Sequence, residues 1–303
     1  MKILICDKIS ESAISLLKEN NIDFDYQPEI SPEELLKAIP IYQALVVRSR
    51  TKVTRDIVLA GKNLKVIGRV GTGVDNIDVV TAKPRKILVV NAPDANSQAV
   101  AEMTIGFILS LLRKIPQAVS SMKNGLWLKK ELSGTELSGK TVGIVGYGHI
   151  GKKIESLAQA FGMHPLIFSR SSKTATLEEL FAKSDIITLH ISLTPETKKL
   201  VNENLLSLMK PTAYIINTSR GEIIDEEALY NVLKDKKIAG AALDIYALEP
   251  LPIDSKWRKL DNVILTPHIG GATKEALERA SKTVVEDMIK VIQGKRPENQ
   301  VFS

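Results

Sequence analysis

Gly146-Tyr147-Gly148-His149-Ile150-Gly151 is the feature that most narrows the choice of fold. It follows the short apolar run Thr141-Val145 directly, and a helical pattern begins near Ile150. In a G-x-G-x-x-G element the first glycine permits a tight strand-to-helix turn. The second lets backbone N–H groups approach a pyrophosphate, and the third lets the helix pack on the strand. The helix N-terminus adds partial positive charge. A chain built around such an element is committed to β-α-β units and so to parallel strands.

The same rhythm runs along the whole chain. Before the glycine motif, β-branched runs at Lys2-Ile5, Ala44-Val47, Lys65-Ile67 and Ile87-Val90 alternate with helical patterns from Ser10 to Asn20 and Thr54 to Gly61. After it come Leu166-Phe168, Ile186-Leu189, Tyr214-Asn217, Ala241-Leu243 and Val263-Leu265, with helical segments between them. The expected class is α/β: two Rossmann-like doubly wound parallel-sheet domains, with cofactor and substrate in the cleft between them. Lys274 to Gln293 reads as a helix long enough to return to the first domain. That domain is therefore expected to be discontinuous, 1–95 completed by 288–303, with 96–287 as the dinucleotide-binding domain. The segment from Ser97 to Leu112 reads as a helix apolar on most of its circumference, hence buried.

Composition excludes several classes of function. The 303 residues are 44% hydrophobic, enough for two cores of ordinary size. The net charge of +6 is scattered, with basic runs no longer than pairs such as Lys129-Lys130, which favours small anions over nucleic acid as partners. No apolar stretch reaches the roughly 20 residues of a membrane span. Cys6 is the only cysteine, so neither an internal disulfide nor a cysteine metal cluster is possible, and no metal site is expected. Met1 leads straight into a strand pattern with no apolar leader, which fits a reducing cytoplasm.

Candidate reacting groups lie in segments that follow apolar runs of the second series: Asn217-Thr218-Ser219-Arg220-Gly221, Asp244 to Glu249-Pro250, and Thr266-Pro267-His268-Ile269-Gly270-Gly271. Ligands gather at the carboxyl ends of strands in open α/β sheets. Reducing a keto acid with a hydride requires a cation to hold the carboxylate and polarise the carbonyl, and a proton donor for its oxygen. Arg220 and His268 are side chains of those types, and Glu249 is the carboxylate to pair with the imidazolium. After Leu166-Phe168 the chain reads Ser169-Arg170-Ser171-Ser172, where NAD enzymes usually carry an acid for the ribose hydroxyls. A guanidinium and hydroxyls suit a 2′-phosphate as well, so NAD and NADP both fit these residues.

With its arginine in Ser-Arg-Gly, its glutamate in Leu-Glu-Pro and its histidine in Pro-His-Ile-Gly-Gly, all behind the glycine motif, the chain resembles the D-isomer-specific 2-hydroxyacid dehydrogenase family over essentially its whole length. The resemblance implies Arg220 as substrate anchor, His268 as acid/base and Glu249 as its partner. It assigns Gly146, Gly148, His149, Ile150 and Gly151 to the dinucleotide, Ser169 and Arg170 to its ribose side, and Thr218 and Asp244 to the nicotinamide. One departure is His190-Ile191-Ser192, where the family usually reads His-x-Pro; this leaves the loop shape open and His190 structural.

Arg48-Ser49-Arg50-Thr51 and the stretch from Ile67 to Asp78 resemble the matching segments of 3-phosphoglycerate dehydrogenases. On that likeness Arg48, Ser49, Arg69, Gly71, Gly73, Val74 and Asn96, together with Arg220, form the substrate side. Backbone N–H groups at Gly71 and Gly73 would meet a carboxylate, and Arg48 and Arg69 a phosphate. The implied reaction interconverts D-3-phosphoglycerate and 3-phosphohydroxypyruvate, at the entry to serine biosynthesis. The alternatives are an NADPH-dependent glyoxylate or hydroxypyruvate reductase and, further off, a dinucleotide-sensing corepressor. The resemblance also implies a homodimer through the helix from Ser97 to Leu112. Longer phosphoglycerate dehydrogenases continue into a regulatory domain, and feedback through such a domain is not expected of a chain that stops at Ser303.

Overall fold

The computed structural model describes residues 2–170, 172 and 174–302. Ser171 of the ribose-side sequence lies outside them. The chain runs β1 (Lys2–Ile5), α1 (Glu11–Glu19), β2 (Asp23–Tyr26), α2 (Pro32–Ala38), β3 (Ala44–Val47), α3 (Arg55–Ala60), β4 (Val66–Arg69), α4 (Val79–Ala82) and β5 (Leu88–Val90). It continues through α5 (Ser97–Leu112), α6 (Ile115–Lys123), β6 (Thr141–Val145), α7 (His149–Ala160), β7 (His164–Phe168), α8 (Leu177–Lys183) and β8 (Ile186–Leu189). It closes with α9 (Glu203–Ser207), β9 (Tyr214–Asn217), α10 (Glu226–Lys234), β10 (Gly240–Leu243), β11 (Val263–Leu265) and α11 (Lys274–Ile292). These elements form two compact units, Met1–Asn96 with Ala272–Ser303, and Ser97–Gly271.

In the first unit the sheet order is β2-β1-β3-β4-β5, with every pair parallel. The central strands are buried on both faces, which is why they read as continuous aliphatic runs. Ile3, Ile5, Val46 and Val66 pack on one side, and Leu4, Leu45, Val47 and Ile67 on the other. α11 belongs to this unit along its whole length, so the boundary falls at Ala272 and not at 288. The reason is a stripe at helical spacing, Ala280, Val284 and Met288, that fills one face of the core. Gly68 in β4 makes room for it, since a Cβ there would lie 2.6 Å from both Val284 and Met288.

β2 and α2 had not been expected from the sequence. Asp23-Phe24-Asp25-Tyr26 is a short edge strand with two weak strand formers, and its pairing with β1 supplies what local propensity lacks. α2 does carry a legible signal: Ser31 and Glu34 form a capping box with Pro32 at the first helical position.

The second unit has the order β11-β10-β9-β8-β6-β7, again all parallel. The chain steps outward from β6 to β7 and returns on the other side of β6 at β8. The strand order therefore reverses between β6 and β8, where ligands of such sheets bind. α5 packs Ile105, Ile108 and Leu112 into a core with Val142, Ile144 and Ile154. Its exposed stripe is Gln98, Glu102 and Gly106, and Gln98 donates to Glu102 at 2.8 Å. Most apolar side chains of α5 are buried inside the unit, with Met103 and Leu109 half-buried. An exposed apolar row lies on α6 at Ile115, Val119 and Met122, continuing at Leu126 and Trp127. Among the described residues, no helix is long and apolar enough to cross a membrane, and no group of His, Cys, Asp and Glu is placed to hold a metal ion.

Candidate active site

Because the second sheet is entirely parallel, the loops after β6, β8, β9, β10 and β11 all emerge at one edge. The glycine motif, His190, Arg220, Asp244 to Glu249 and His268 are carried by those loops.

After β9, buried Asn217 organises the turn that presents Arg220. Its Oδ1 accepts from the Ser219 N–H at 3.0 Å and the Ser219 hydroxyl at 2.8 Å, while Nδ2 donates to the Arg220 carbonyl at 2.9 Å. An Asn at a strand end closing its own turn in this way is a sequence-readable motif, although no role had been assigned to Asn217. Gly221 lies against the next loop, and a Cβ there would be 2.1 Å from the Tyr246 carbonyl carbon. The two backbones therefore meet, and Arg220 is fixed relative to the loop after β10. Arg220 Nη1 donates to the Ser219 carbonyl at 2.6 Å.

Asp244 gathers the turn that carries the histidine. Its carboxylate accepts from the Thr266 hydroxyl at 2.5 Å, from the Ile269 N–H at 2.8 Å and from the Gly270 N–H at 2.7 Å. Its carbonyl accepts from the His268 N–H at 2.9 Å. His268 has a φ of 53°, a left-handed conformation costly for a residue with a Cβ, which these surrounding bonds hold in place. His268 Nδ1 lies 2.8 Å from Glu249 Oε2, and Glu249 Oε1 accepts from the Tyr246 N–H at 3.1 Å. Both carboxylate oxygens of Glu249 thus orient the pair. Tyr246 spans the loops, its hydroxyl within 2.9 Å of the Leu243 carbonyl and 3.0 Å of the Thr266 carbonyl. Burial pushes that phenol up to about 12. A cavity of about 560 Å³, lined by Leu251, Arg258 and Leu265 among others, opens beside His268 and Glu249.

The glycine loop fits a dinucleotide. Gly146 has a φ of 101°, and a Cβ there would lie 2.3 Å from the His190 carbonyl oxygen. A Cβ at Gly151 would lie 2.2 Å from the Gly146 carbonyl oxygen, whereas one at Gly148 meets nothing within 4 Å. The loop is closed against the protein at its first and third glycines and open to a ligand at its second. Thr218, buried at the end of β9, has a hydroxyl without a partner among the described residues, which suits a polar group of a bound ligand. The consequence is a separation of effects. Gly148→Ala should weaken binding of the reduced nicotinamide cofactor about tenfold, or 1.4 kcal/mol, while leaving the melting temperature unchanged. Gly151→Ala should destabilise the fold by about 1–3 kcal/mol. Fluorescence titration and thermal melts read the two effects, and equal cofactor affinity for wild type and Gly148→Ala would count against the loop.

At the end of β7, Ser169 turns its hydroxyl into its own loop, donating to the Ser172 carbonyl at 2.8 Å and accepting from the Ser172 N–H at 2.9 Å. Glu196 is held below the ordinary carboxylate range first by a hydrogen bond with the Thr194 side chain, with the charge of Arg170 contributing less. His190 is half-buried beside the glycine loop, its Nε2 2.7 Å from the Thr188 hydroxyl. Desolvation of the ring drives its imidazole down to about 3, so it is neutral at working pH.

The first unit places its candidates at the carboxyl ends of β3 and β4. Buried Asp7 accepts from the Arg48 N–H at 2.6 Å and from Arg50 Nε at 2.9 Å, a role the sequence had not suggested. Arg50 also donates to the carbonyls of Ile30 and Pro28, which makes it a structural clamp. Arg48 Nη1 donates to the Lys8 carbonyl at 3.2 Å. Arg69 Nη2 donates to Ser49 Oγ at 3.1 Å, and its guanidinium lies over Gly71, where a Cβ would be 1.5 Å from Nη1. Only glycine at position 71 admits that placement. Val74 packs its side chain on the core. Asn96 Oδ1 accepts from the Thr72 hydroxyl at 2.8 Å.

Fold and site together define an α/β dinucleotide-binding protein with an arginine and a histidine–glutamate pair at one sheet edge. The model of the D-isomer specific 2-hydroxyacid dehydrogenase, NAD binding domain, matches residues 105–270. D-3-phosphoglycerate dehydrogenase of Methanocaldococcus jannaschii is 46% identical, over 99% of this chain and 59% of its own length. Hydroxypyruvate reductase of Thermotoga maritima is 42% identical, over 95% of this chain and 97% of its own. A solved acyclic imino acid reductase, in complex with NADPH and D-Arg, shares 33% identity with a TM-score of 0.91 over 100% of both chains. The chain belongs to the D-isomer specific 2-hydroxyacid dehydrogenase family. It spans 59% of the length of the Methanocaldococcus jannaschii relative.

Proposed function

We propose that the chain is a nicotinamide-dependent dehydrogenase of a small 2-hydroxy acid bearing a second anionic group, with D-3-phosphoglycerate and 3-phosphohydroxypyruvate as its substrate pair. The observation that carries the reading is the 2.8 Å pairing of His268 Nδ1 with Glu249, on a loop whose backbone abuts that of Arg220. With Nδ1–H donated to the carboxylate, Nε2 is left to give a proton to the keto oxygen, or to take one from the hydroxyl in the reverse direction. Glu249 stabilises the imidazolium before the proton leaves. Arg220 holds the substrate carboxylate in its fork and polarises the adjacent carbonyl. The nicotinamide, when bound on the loop from Gly146 to Gly151, supplies or accepts the hydride. Asp244, with its carboxylate bonded to the turn from Thr266 to Gly270 that follows β11, positions His268.

Arg69, laid over Gly71 and bonded to Ser49, supports a phosphate on the substrate, with Arg48 at the neighbouring strand end as a second cation. A second reading, hydroxypyruvate or glyoxylate reduction with NADPH, is favoured by Arg170 at the ribose position and by the near full-length match to a hydroxypyruvate reductase. Initial rates of NADH and NADPH oxidation with 3-phosphohydroxypyruvate, hydroxypyruvate and glyoxylate separate the two. A phosphate gripped by charge-assisted hydrogen bonds should raise kcat/KM by at least about tenfold over the unphosphorylated acids. The reverse order, with NADPH preferred, would make it a reductase of the unphosphorylated acids. No oxidation with any acid would indicate a binding protein.

A further inference from the structure

We infer that Asn91 is a positioning residue for substrate, linking the end of the chain to the loop that carries Gly71 and Thr72. The inference rests on the reading that this loop and Asn96 bind the substrate. Five bonds form the link. Buried Asp287, in α11, accepts at Oδ2 from the Asn299 N–H at 2.8 Å and from Asn299 Nδ2 at 2.9 Å. The Asn299 carbonyl, so fixed, accepts from the Asn91 N–H at 3.2 Å. Asn91 Nδ2 donates to the Thr72 carbonyl at 2.5 Å, and the Thr72 hydroxyl donates to Asn96 Oδ1 at 2.8 Å.

Neighbouring bonds make this a rigid strut. Asp287 Oδ1 also accepts from the Glu298 N–H at 2.8 Å. Val301 donates to the Val89 carbonyl at 2.9 Å, and Gln300 bridges antiparallel to Val90, so the tail is pinned along β5. On the other side of Asn91, the Ala92 N–H donates to the Gly71 carbonyl at 2.9 Å. Asn91 is the one residue of the strut that touches both the tail, through its backbone, and the loop, through its side chain. With Oδ1 taken by Thr72, the Asn96 amide has its NH₂ left to donate to an anion. Shifting Thr72 turns that amide and moves Gly71, over which the Arg69 guanidinium lies. Displacements of that kind weaken the grip on substrate without touching the proton donor, which sits in the other unit.

Steady-state kinetics of the full chain test this, with 3-phosphohydroxypyruvate and hydroxypyruvate as substrates. Asn91→Leu keeps the size and removes the side-chain donor. It should raise KM about five- to tenfold, as loss of one buried hydrogen bond does, with kcat within twofold and cofactor affinity by fluorescence unchanged. Asp287→Asn, remote from the loop, replaces an acceptor with a donor and should raise KM about two- to threefold in the same pattern. Asn96→Ala reports on the underlying reading. If Asn96→Ala raises KM but Asn91→Leu and Asp287→Asn do not, the strut is refuted and the substrate loop stands. If none of the three raises KM, the loop does not bind substrate and the strut falls with it. A parallel fall in kcat, cofactor affinity and melting temperature in both strut variants would reduce Asn91 to a folding role.

Discussion

His268→Ala lowers kcat by about two to four orders of magnitude, the range by which a positioned general acid or base accelerates proton transfer. The reduced cofactor should bind with unchanged affinity, because the glycine loop follows β6 and the histidine follows β11. Glu249→Gln should fall between wild type and His268→Ala. An amide still contacts Nδ1 but carries no charge to stabilise the imidazolium and can present the wrong edge, so the ring loses its fixed tautomer. The pH profile provides the sharper check. His190→Gln should leave the pH profile of kcat/KM unchanged, because His190 is already neutral across the working range. A His268→Ala enzyme with wild-type turnover would remove this residue from the chemistry.

Arg220→Ala should cost kcat/KM a factor of roughly 30 to 5,000, corresponding to the 2–5 kcal/mol lost when one member of a hydrogen-bonded charge pair is truncated. Arg220→Lys should recover only part of it, since an ammonium keeps the charge but not the planar fork that matches a carboxylate. Asn217 provides an internal comparison. Its Nδ2 ties the Arg220 carbonyl and its Oδ1 holds Ser219, so Asn217→Ala should loosen the arginine and move kcat/KM in the same direction by a smaller factor. Steady-state kinetics over a series of 2-keto acids give all three values. A change within twofold in Arg220→Ala would show that another group holds the carboxylate.

The residues proposed to bear the chemistry were legible because they announce themselves locally. A glycine triplet between strand and helix, an arginine before a glycine at a strand end and a histidine before glycines are short patterns whose geometry is set within a few residues. The residues that hold them were not legible. Asp244 read only as a contact for the nicotinamide; its bonds to Thr266, His268, Ile269 and Gly270, a turn on another strand, exist only once the chain is folded. Asp7 was a polar residue after a strand until folding brought Arg48 and Arg50 to it. Asn91 and Asn299 carry no motif at all. Buried polar groups must find partners, but which partners they find depends on which segments come together.

The sequence by itself determined the alternation of strands and helices, the parallel sense of the sheets, the glycine loop and the residues proposed as proton donor and anion anchor. Period, turn residues and side-chain chemistry act over a few residues, so a linear reading captures them. Tertiary structure alone decided the order of strands around β6, the membership of α11 in the first core along its whole length, and the placement of Asp244, Asn217 and Asn91 as supports. Those outcomes follow from burial and hydrogen bonding between segments distant in the chain, and local propensity says nothing about which distant segment arrives.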